Sequence, residues 1–330
     1  MIKVAINGFG RIGRAAAKII IDSNDMELVA VNDLTDAKTL LFLLTHDSSY
    51  GLFDKKITLA DSEVKIDDKR VHFFSEKEPG KLPWEALGID VVLECTGVFL
   101  TTADCRGHIS AGARKVVISA PAKDDETPTY LIGVNSNAYK DEDIVSNASC
   151  TTNCIAPVIK VLNDSFGVKQ SLMTTVHSYT ADQNLVDGPH KDLRRARAAA
   201  MNIVPTTTGA AKTVTKIIKE LDKKFDGLAI RVPTPVVSLA DVVAVLERPA
   251  SIEEINKVFE VAAESTMRGI LTVTQDPLVS SDLVGNTCSS IVDASLTNVV
   301  GGTLAKVIAW YDNEWGYSNR LVEMARLILK

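Results

Sequence analysis

The chain has 330 residues, 46% of them hydrophobic and 24% charged, and a net charge of −6. That length supports two globular domains with substantial cores, and the acidic surplus argues against a protein whose main work is coating nucleic acid or an anionic membrane. No apolar run reaches bilayer length, a strand is expected directly after Met1 with no leader before it, and five cysteines in a chain too large to need staples suit a reducing compartment, so a soluble cytoplasmic protein is expected.

The first element is KVAING, Lys3 to Gly8, which reads as a buried strand turning at GFGRIG into an Ala- and Ile-rich helix. Gly8, Gly10 and Gly13 form a GxGxxG pattern, with Arg11 and Ile12 opening the helix. Alone the pattern specifies only a tight turn. A second strand, MELVAVND, ends at Asp33, 20 positions after Gly13, where a dinucleotide fold puts the carboxylate that accepts the adenosine ribose hydroxyls. Glycines let the backbone approach a pyrophosphate, and the helix start points unpaired N–H groups at it. Asp33 repels an added 2′-phosphate, so NAD is favoured over NADP.

Two further strands follow, DVVLECTG (Asp90 to Gly97) and RKVVISAP (Arg114 to Pro121), with a helical TADCRGHISAGA between them. Alternating strand and helix imply a parallel, doubly wound sheet, an α/β fold of the Rossmann type. Thr96 and Ser119 then fall at carboxyl ends of strands, where such sheets bind ligands. IVSNAS closes the series, giving a dinucleotide-binding domain over 1–149.

Next comes NASCTTNC, with Cys150 and Cys154 one helical turn apart. Cysteine is commonly a small buried filler, and Cys95, Cys105 and Cys288 add no CxxC pair or adjacent histidine, so no metal is expected. Cys150 opens the helix TTNCIAPVIK, whose dipole favours a thiolate and lowers the thiol pKa, whereas Cys154 is expected to pack inward. QSLMTTVHSYTADQ reads as a strand ending near His177 and running into a polar loop that holds LRRARA, in which Arg194 and Arg197 read as a solvated face. GLAIRVPTPVVSLADVVAVLERP reads as two long strands, followed by a helix near Ile252 to Thr266. Residues 150–313 therefore suggest an α+β catalytic domain with a mostly antiparallel sheet. The last segment, 314–330, is an amphipathic helix with Leu321, Met324, Ala325 and Ile328 on one face, expected to pack back on the first domain.

INGFGRIGR, VNDLTD, LECTGVF, SNASCTTNC, HSYTADQ, PTTTGAAK, RVPTP and WYDNEWGYSNR occur in that order across essentially the whole chain, and together they resemble the phosphorylating glyceraldehyde-3-phosphate dehydrogenases. The resemblance implies oxidative phosphorylation of glyceraldehyde 3-phosphate by NAD through a thioester on Cys150, with His177 as activator and base. It implies that Thr180 and Arg231 hold the substrate phosphate. Ser149, Thr151, Thr208 and Gly209 would hold inorganic phosphate, and Arg195 would serve one or both sites. It places Asn313 on the nicotinamide carboxamide, Tyr317 near the ring, and Lys77 near the adenine in place of a more usual arginine. Gly188 stands where many NAD-using relatives carry leucine, yet Pro189 and Asp33 are retained, so NAD is kept. A homotetramer is implied, with the loop from about Ser178 to Met201 at a subunit interface beside the cofactor. Erythrose-4-phosphate dehydrogenase lacks the TTTGAA loop and the Thr of HSYTAD, and a non-catalytic nucleotide- or RNA-binding protein on the same fold would not need Cys150 and His177, so both are the weaker alternatives. No membrane or nucleic-acid partner is expected.

Overall fold

The computed structural model describes residues 1–60 and 63–330. Two compact units are present, one formed by Met1–Ala148 with Ser318–Lys330 and the other by Ser149–Tyr317.

In the first unit, β1 (Ile2–Asn7), β2 (Met26–Asn32), β3 (Ile57–Ala60), β4 (Glu63–Ile66), β5 (Lys69–Phe74), β6 (Val91–Glu94), β7 (Lys115–Ile118) and β8 (Ile144–Ser146) form one sheet in the order β8-β7-β6-β1-β2-β5-β4-β3. The pairs from β8 to β5 are parallel, as alternating strand and helix require. The pairs β5·β4 and β4·β3 are antiparallel, an extension beyond the parallel sheet the sequence suggested. Strands β1, β2, β6, β7 and β8 are buried on both faces. Val4 and Ile6 of β1 pack with α1 (Arg11–Ile21) and with Leu321, Met324, Ala325 and Ile328, while Ala5 packs in a second cluster with Trp84 and Cys105. Cys105 lies on α2 (Thr102–Ser110), whose start is capped by the Thr101 side chain accepting from the Asp104 N–H.

In the second unit, α3 (Cys150–Phe166) lies ahead of β9 (Val168–Ser178), β10 (Val204–Thr206), α4 (Ala210–Ile217), β11 (Phe225–Val232) and β12 (Ser238–Leu246). After α5 (Ile252–Glu264) come β13 (Leu271–Thr274), β14 (Ser290–Asp293), β15 (Asn298–Val300), β16 (Leu304–Tyr311) and the start of α6 (Trp315–Leu327). The sheet order is β10-β11-β9-β12-β16-β14-β13, with β15 also on β16, and all but two pairs are antiparallel. β12 alternates buried and part-buried residues along its length, the signature of a strand with one face on the core. α5 carries a capping box between Ser251 and Glu254.

Candidate active site

At the carboxyl ends of β1, β2 and β6 the first unit holds a cleft of about 500 Å³, whose lining includes Gly8, Gly10, Asp33, Lys77 and Thr96. Gly8 has a φ of +92°, and a Cβ there would stand 2.5 Å from the Thr96 nitrogen. A Cβ on Gly13 would stand 2.2 Å from the Gly8 carbonyl oxygen, so α1 can lie this close to the turn only with glycine there. Gly10 has open space on its Cβ side and precedes the first turn of α1, leaving backbone N–H groups for an anion.

Asp33 Oδ2 accepts from the Phe9 N–H at 2.7 Å and Oδ1 from the Thr35 N–H at 2.9 Å. The carboxylate is thus fixed, and each oxygen keeps a lone pair for a ribose hydroxyl. A turn in which Gly8 and Gly13 admit no Cβ and Gly10 stands open, beside a fixed carboxylate, fits NAD. Arg11 pairs with Asp47 at 2.9 Å, and Ile12 packs on the core. Lys77 lies exposed on the rim, and the Ser119 N–H donates to the Glu94 carbonyl at 2.9 Å beyond β7. Asn313 and Tyr317 belong to the second unit and are not among the cleft residues.

In the second unit, Ser149 caps α3 by accepting from the Thr152 N–H at 3.1 Å, which sets Cys150 in the first turn. The parallel pairing of β9 with β11 makes His177 and Arg231 register partners. Cys150 Sγ lies 3.5 Å from His177 Nε2. On the other side of the ring, Nδ1 stands 2.7 Å from the Ser178 carbonyl oxygen and 3.0 Å from Arg231 Nη1, which itself donates to the same carbonyl at 3.0 Å. A carbonyl only accepts, and arginine already has that oxygen, so the shorter contact assigns the proton to Nδ1 and leaves the Nε2 lone pair toward the thiol. Tyr311 closes the floor, its ring edge-on to His177 at 5.9 Å and its hydroxyl bonded to Thr151 Oγ1 at 2.9 Å and Thr175 Oγ1 at 2.8 Å.

Burial pushes the Cys150 thiol up, opposed by the charge of Arg231 and a hydrogen bond with Thr151. Burial, reinforced by Arg231, pushes His177 down to about 3. The lowered thiol pKa read from the helix start is therefore corrected. The exclusion of water favours the uncharged forms of both groups, while Arg231 and the Thr151 contacts favour the thiolate. Cys154 is fully buried, its Sγ 3.9 Å from the Ala309 carbonyl oxygen, and burial raises its thiol well above the usual range.

Of the anion-binding candidates, Thr151, Arg195 and Arg231 act directly on this pair, and Thr180 joins it through Arg231. Arg231 Nη1 reaches Thr180 Oγ1 at 3.5 Å. Arg195 bonds Asp182, Thr206 Oγ1 at 3.0 Å and the Thr207 carbonyl at 3.2 Å, and its charge acts on His177. Thr208 and Gly209 stand at the start of α4, where Thr208 Oγ1 accepts from the Ala210 N–H at 3.2 Å and Gly209 faces open space. The hydroxyls of Ser149 and Thr151 are engaged by Thr152 and Tyr311, so a phosphate there must share or displace those bonds.

Residues 2–102 match the family model described as "Glyceraldehyde 3-phosphate dehydrogenase, NAD binding domain", and residues 149–313 match the model described as its C-terminal domain. Across 331 residues the chain is 50% identical to "Glyceraldehyde-3-phosphate dehydrogenase 1" of Bacillus subtilis, covering 100% of this chain and 98% of that protein. It is 50% identical to "Glyceraldehyde-3-phosphate dehydrogenase" of Geobacillus stearothermophilus over 99% of this chain and 98% of the relative, and 52% identical to the protein of the same printed name from Mycolicibacterium smegmatis over 100% and 99%. The chain belongs to the glyceraldehyde-3-phosphate dehydrogenase family.

Within this member of the family, sequence reading passed over Tyr311, although WYDNEW was among the motifs quoted. A tyrosine at a strand end reads as core until the β16·β12 pairing carries it beneath His177. Ser178 was also missed. Its carbonyl holds His177 and Arg231, while its hydroxyl donates at 2.7 Å to the carbonyl of Val237, a buried residue with a φ of +69°. A β-branched residue in that region is held by its surroundings, here at the edge of the reactive pair. No signal in the sequence marks either backbone feature.

Proposed function

We propose that the chain oxidises D-glyceraldehyde 3-phosphate to 1,3-bisphosphoglycerate with NAD and inorganic phosphate, through a thioester on Cys150. The observation that carries this reading is the Cys150 Sγ–His177 Nε2 approach of 3.5 Å, with the Nδ1 proton committed to Ser178. His177 takes the thiol proton as sulfur adds to the aldehyde carbon, and returns it to the developing oxyanion to give a thiohemiacetal. A thiolate beside the ring and a charged substrate raise the imidazole's basicity from its resting value. The Cys150 N–H at the start of α3 faces the oxyanion. His177 then removes the hydroxyl proton, and NAD, when bound, supplies the hydride acceptor. Inorganic phosphate attacks the resulting thioester, and sulfur leaves as the thiolate.

Thr180 and Arg231 hold the substrate phosphate in this reading. Ser149, Thr151, Thr208 and Gly209 hold the attacking phosphate, and Arg195 serves one or both. The glycine cleft with Asp33, Lys77, Thr96 and Ser119 takes NAD, Asn313 takes its carboxamide, and Tyr317 lies near its ring. Residues 1–149 with the helix 314–330 form the cofactor domain, and 150–313 the catalytic domain. All five cysteines are free thiols, in keeping with a cytoplasmic enzyme. Exposed Leu185, Val186, Leu193, Met201 and Ile203 on the polar loop support a homotetramer, which sedimentation will test. The function is tested by NADH absorbance, which is expected to rise with glyceraldehyde 3-phosphate only when phosphate is present. Sustained turnover without phosphate, or preference for erythrose 4-phosphate, overturns it.

A further inference from the structure

Beneath the cofactor cleft lies a polar network, closed off from solvent, that the chemistry does not use. Glu94, His108 and Trp84 are each no more than 1% exposed. Trp84 Nε1 donates to His108 Nδ1 at 3.0 Å. An indole N–H can only donate, so Nδ1 is the acceptor and the ring's proton sits on Nε2, facing Glu94 Oε2 at 3.2 Å. Asn7 Nδ2 donates to that same oxygen at 2.6 Å. The other oxygen of Glu94 accepts from the Thr96 N–H at 2.8 Å and from the Thr96 hydroxyl. Asn7 Oδ1 in turn accepts from Asn32 Nδ2 at 2.7 Å, and Asn32 Oδ1 accepts from the Glu76 N–H at 2.8 Å. The carboxyl ends of β1, β2 and β6 are thereby tied to one buried carboxylate. Asn7, Asn32, Glu76 and Thr96 all line the cleft, whereas His108 and Trp84 do not.

We propose that His108 is a positioning residue for the dinucleotide: it holds Glu94, which fixes Asn7 and Thr96 with their protons turned inward, so that the cleft floor offers acceptors to hydroxyl groups of the cofactor. This rests on NAD occupying that cleft. Thr96 illustrates the consequence. Its hydroxyl proton is committed to Glu94, so toward a ligand the oxygen can only accept, which suits a sugar hydroxyl and disfavours a phosphate oxygen. If His108 is lost, Glu94 and the Trp84 N–H are left short of partners in a buried site, and the strand ends lose their common anchor.

The test uses the full-length enzyme with three variants. His108→Leu removes both ring nitrogens. His108→Gln restores one acceptor for Trp84 and one donor for Glu94. Trp84→Phe removes only the indole N–H. His108→Leu is expected to raise KM and Kd for NAD about tenfold, the effect of one or two lost hydrogen bonds, with kcat at saturating NAD, substrate and phosphate within about twofold of wild type. His108→Gln is expected to recover most of the affinity, and Trp84→Phe to raise KM about threefold. A merely structural role lowers the thermal midpoint without splitting KM from kcat. Folded His108→Leu with an unchanged Kd, or His108→Gln as impaired as His108→Leu, overturns the proposal. If His108→Leu does not fold, an unchanged KM in Trp84→Phe overturns it instead. Asp33→Ala run alongside separates the two readings: if it too leaves NAD binding unchanged, the cleft assignment has failed, and if it weakens binding while His108→Leu does not, only this inference has.

Discussion

In the first unit the dinucleotide cleft is shaped by main chain: Gly8, Gly10 and Gly13 lie within six residues, and the carboxylate opposite them is pinned by two backbone N–H groups. In the second, His177 and Arg231 are 54 residues apart and meet only because two strands pair in a fixed register. The cleft needs room and fixed dipoles, so substitutions there change affinity in steps of a hydrogen bond or a repelled charge. The proposed reactive pair, Cys150 and His177, needs particular nucleophile and base chemistry in a site poor in water, so substitutions there are expected to change rate by orders of magnitude.

The largest effect expected is for Cys150→Ser, with turnover falling on the order of 10⁴-fold or more while the Kd for NAD stays within about threefold. Measurable retention of turnover breaks the division between binding and reactive regions. Next is His177→Asn, expected to lower kcat/KM by about 10²- to 10⁴-fold and to slow alkylation of Cys150 at neutral pH. The same histidine leaves a mark on stability. Its pKa falls from 6.5 in the unfolded chain to about 3 in the fold, so between those values the unfolded state binds the extra proton. The folded protein therefore loses stability as pH drops through that window, and denaturant titrations of His177→Asn should show a shallower acid loss than wild type.

Cofactor choice sharpens the comparison from the other side. Wild type should prefer NAD to NADP by at least about tenfold in kcat/KM, or about 1.4 kcal/mol, and Asp33→Ala should narrow that ratio with little change in alkylation of Cys150. Equal use of the two cofactors by wild type, or an unaltered ratio in the variant, removes Asp33 as the discriminator. The smallest effect is for Tyr311→Phe, which keeps the ring on His177 but removes the bonds that set the direction of the Thr151 and Thr175 hydroxyls, so that Thr151 no longer shares an oriented bond with phosphate. A rise of about threefold to tenfold in KM for phosphate, with kcat nearly retained, is expected in steady-state kinetics. An equal loss in kcat would assign the hydroxyl to the chemistry itself.

These two regions also differ in how far the sequence revealed them. The glycine turn and Asp33 are local, and their spacing carries its own physical reason, so the α/β architecture of the first unit and its parallel strands could be read from residues alone. The antiparallel strands from Ile57 to Phe74 escaped that reading, because charged residues are interspersed through them and their pairing reveals itself only in the sheet. In the second unit Cys150 and His177 were named from motif order, yet the shared Ser178 carbonyl and Tyr311 beneath the ring arise from non-local register. The Cys150 thiol carries the same lesson: a helix start that favours the thiolate is visible in sequence, but the exclusion of water that pushes the thiol the other way is not.

The pairing of His177 with Arg231 also governs where this chain can change length. A single residue inserted into β9 or β11 ahead of the pair would turn every later side chain to the opposite face and part the imidazole from the guanidinium. On the connection between those strands, the exposed turn whose tip is Asp222 and Lys223 lies outside any ladder, and extra residues there leave the register untouched. Natural drift in length should therefore collect at that tip and be absent from the two strands, so that insertions and deletions, rather than substitutions, outline the reactive core.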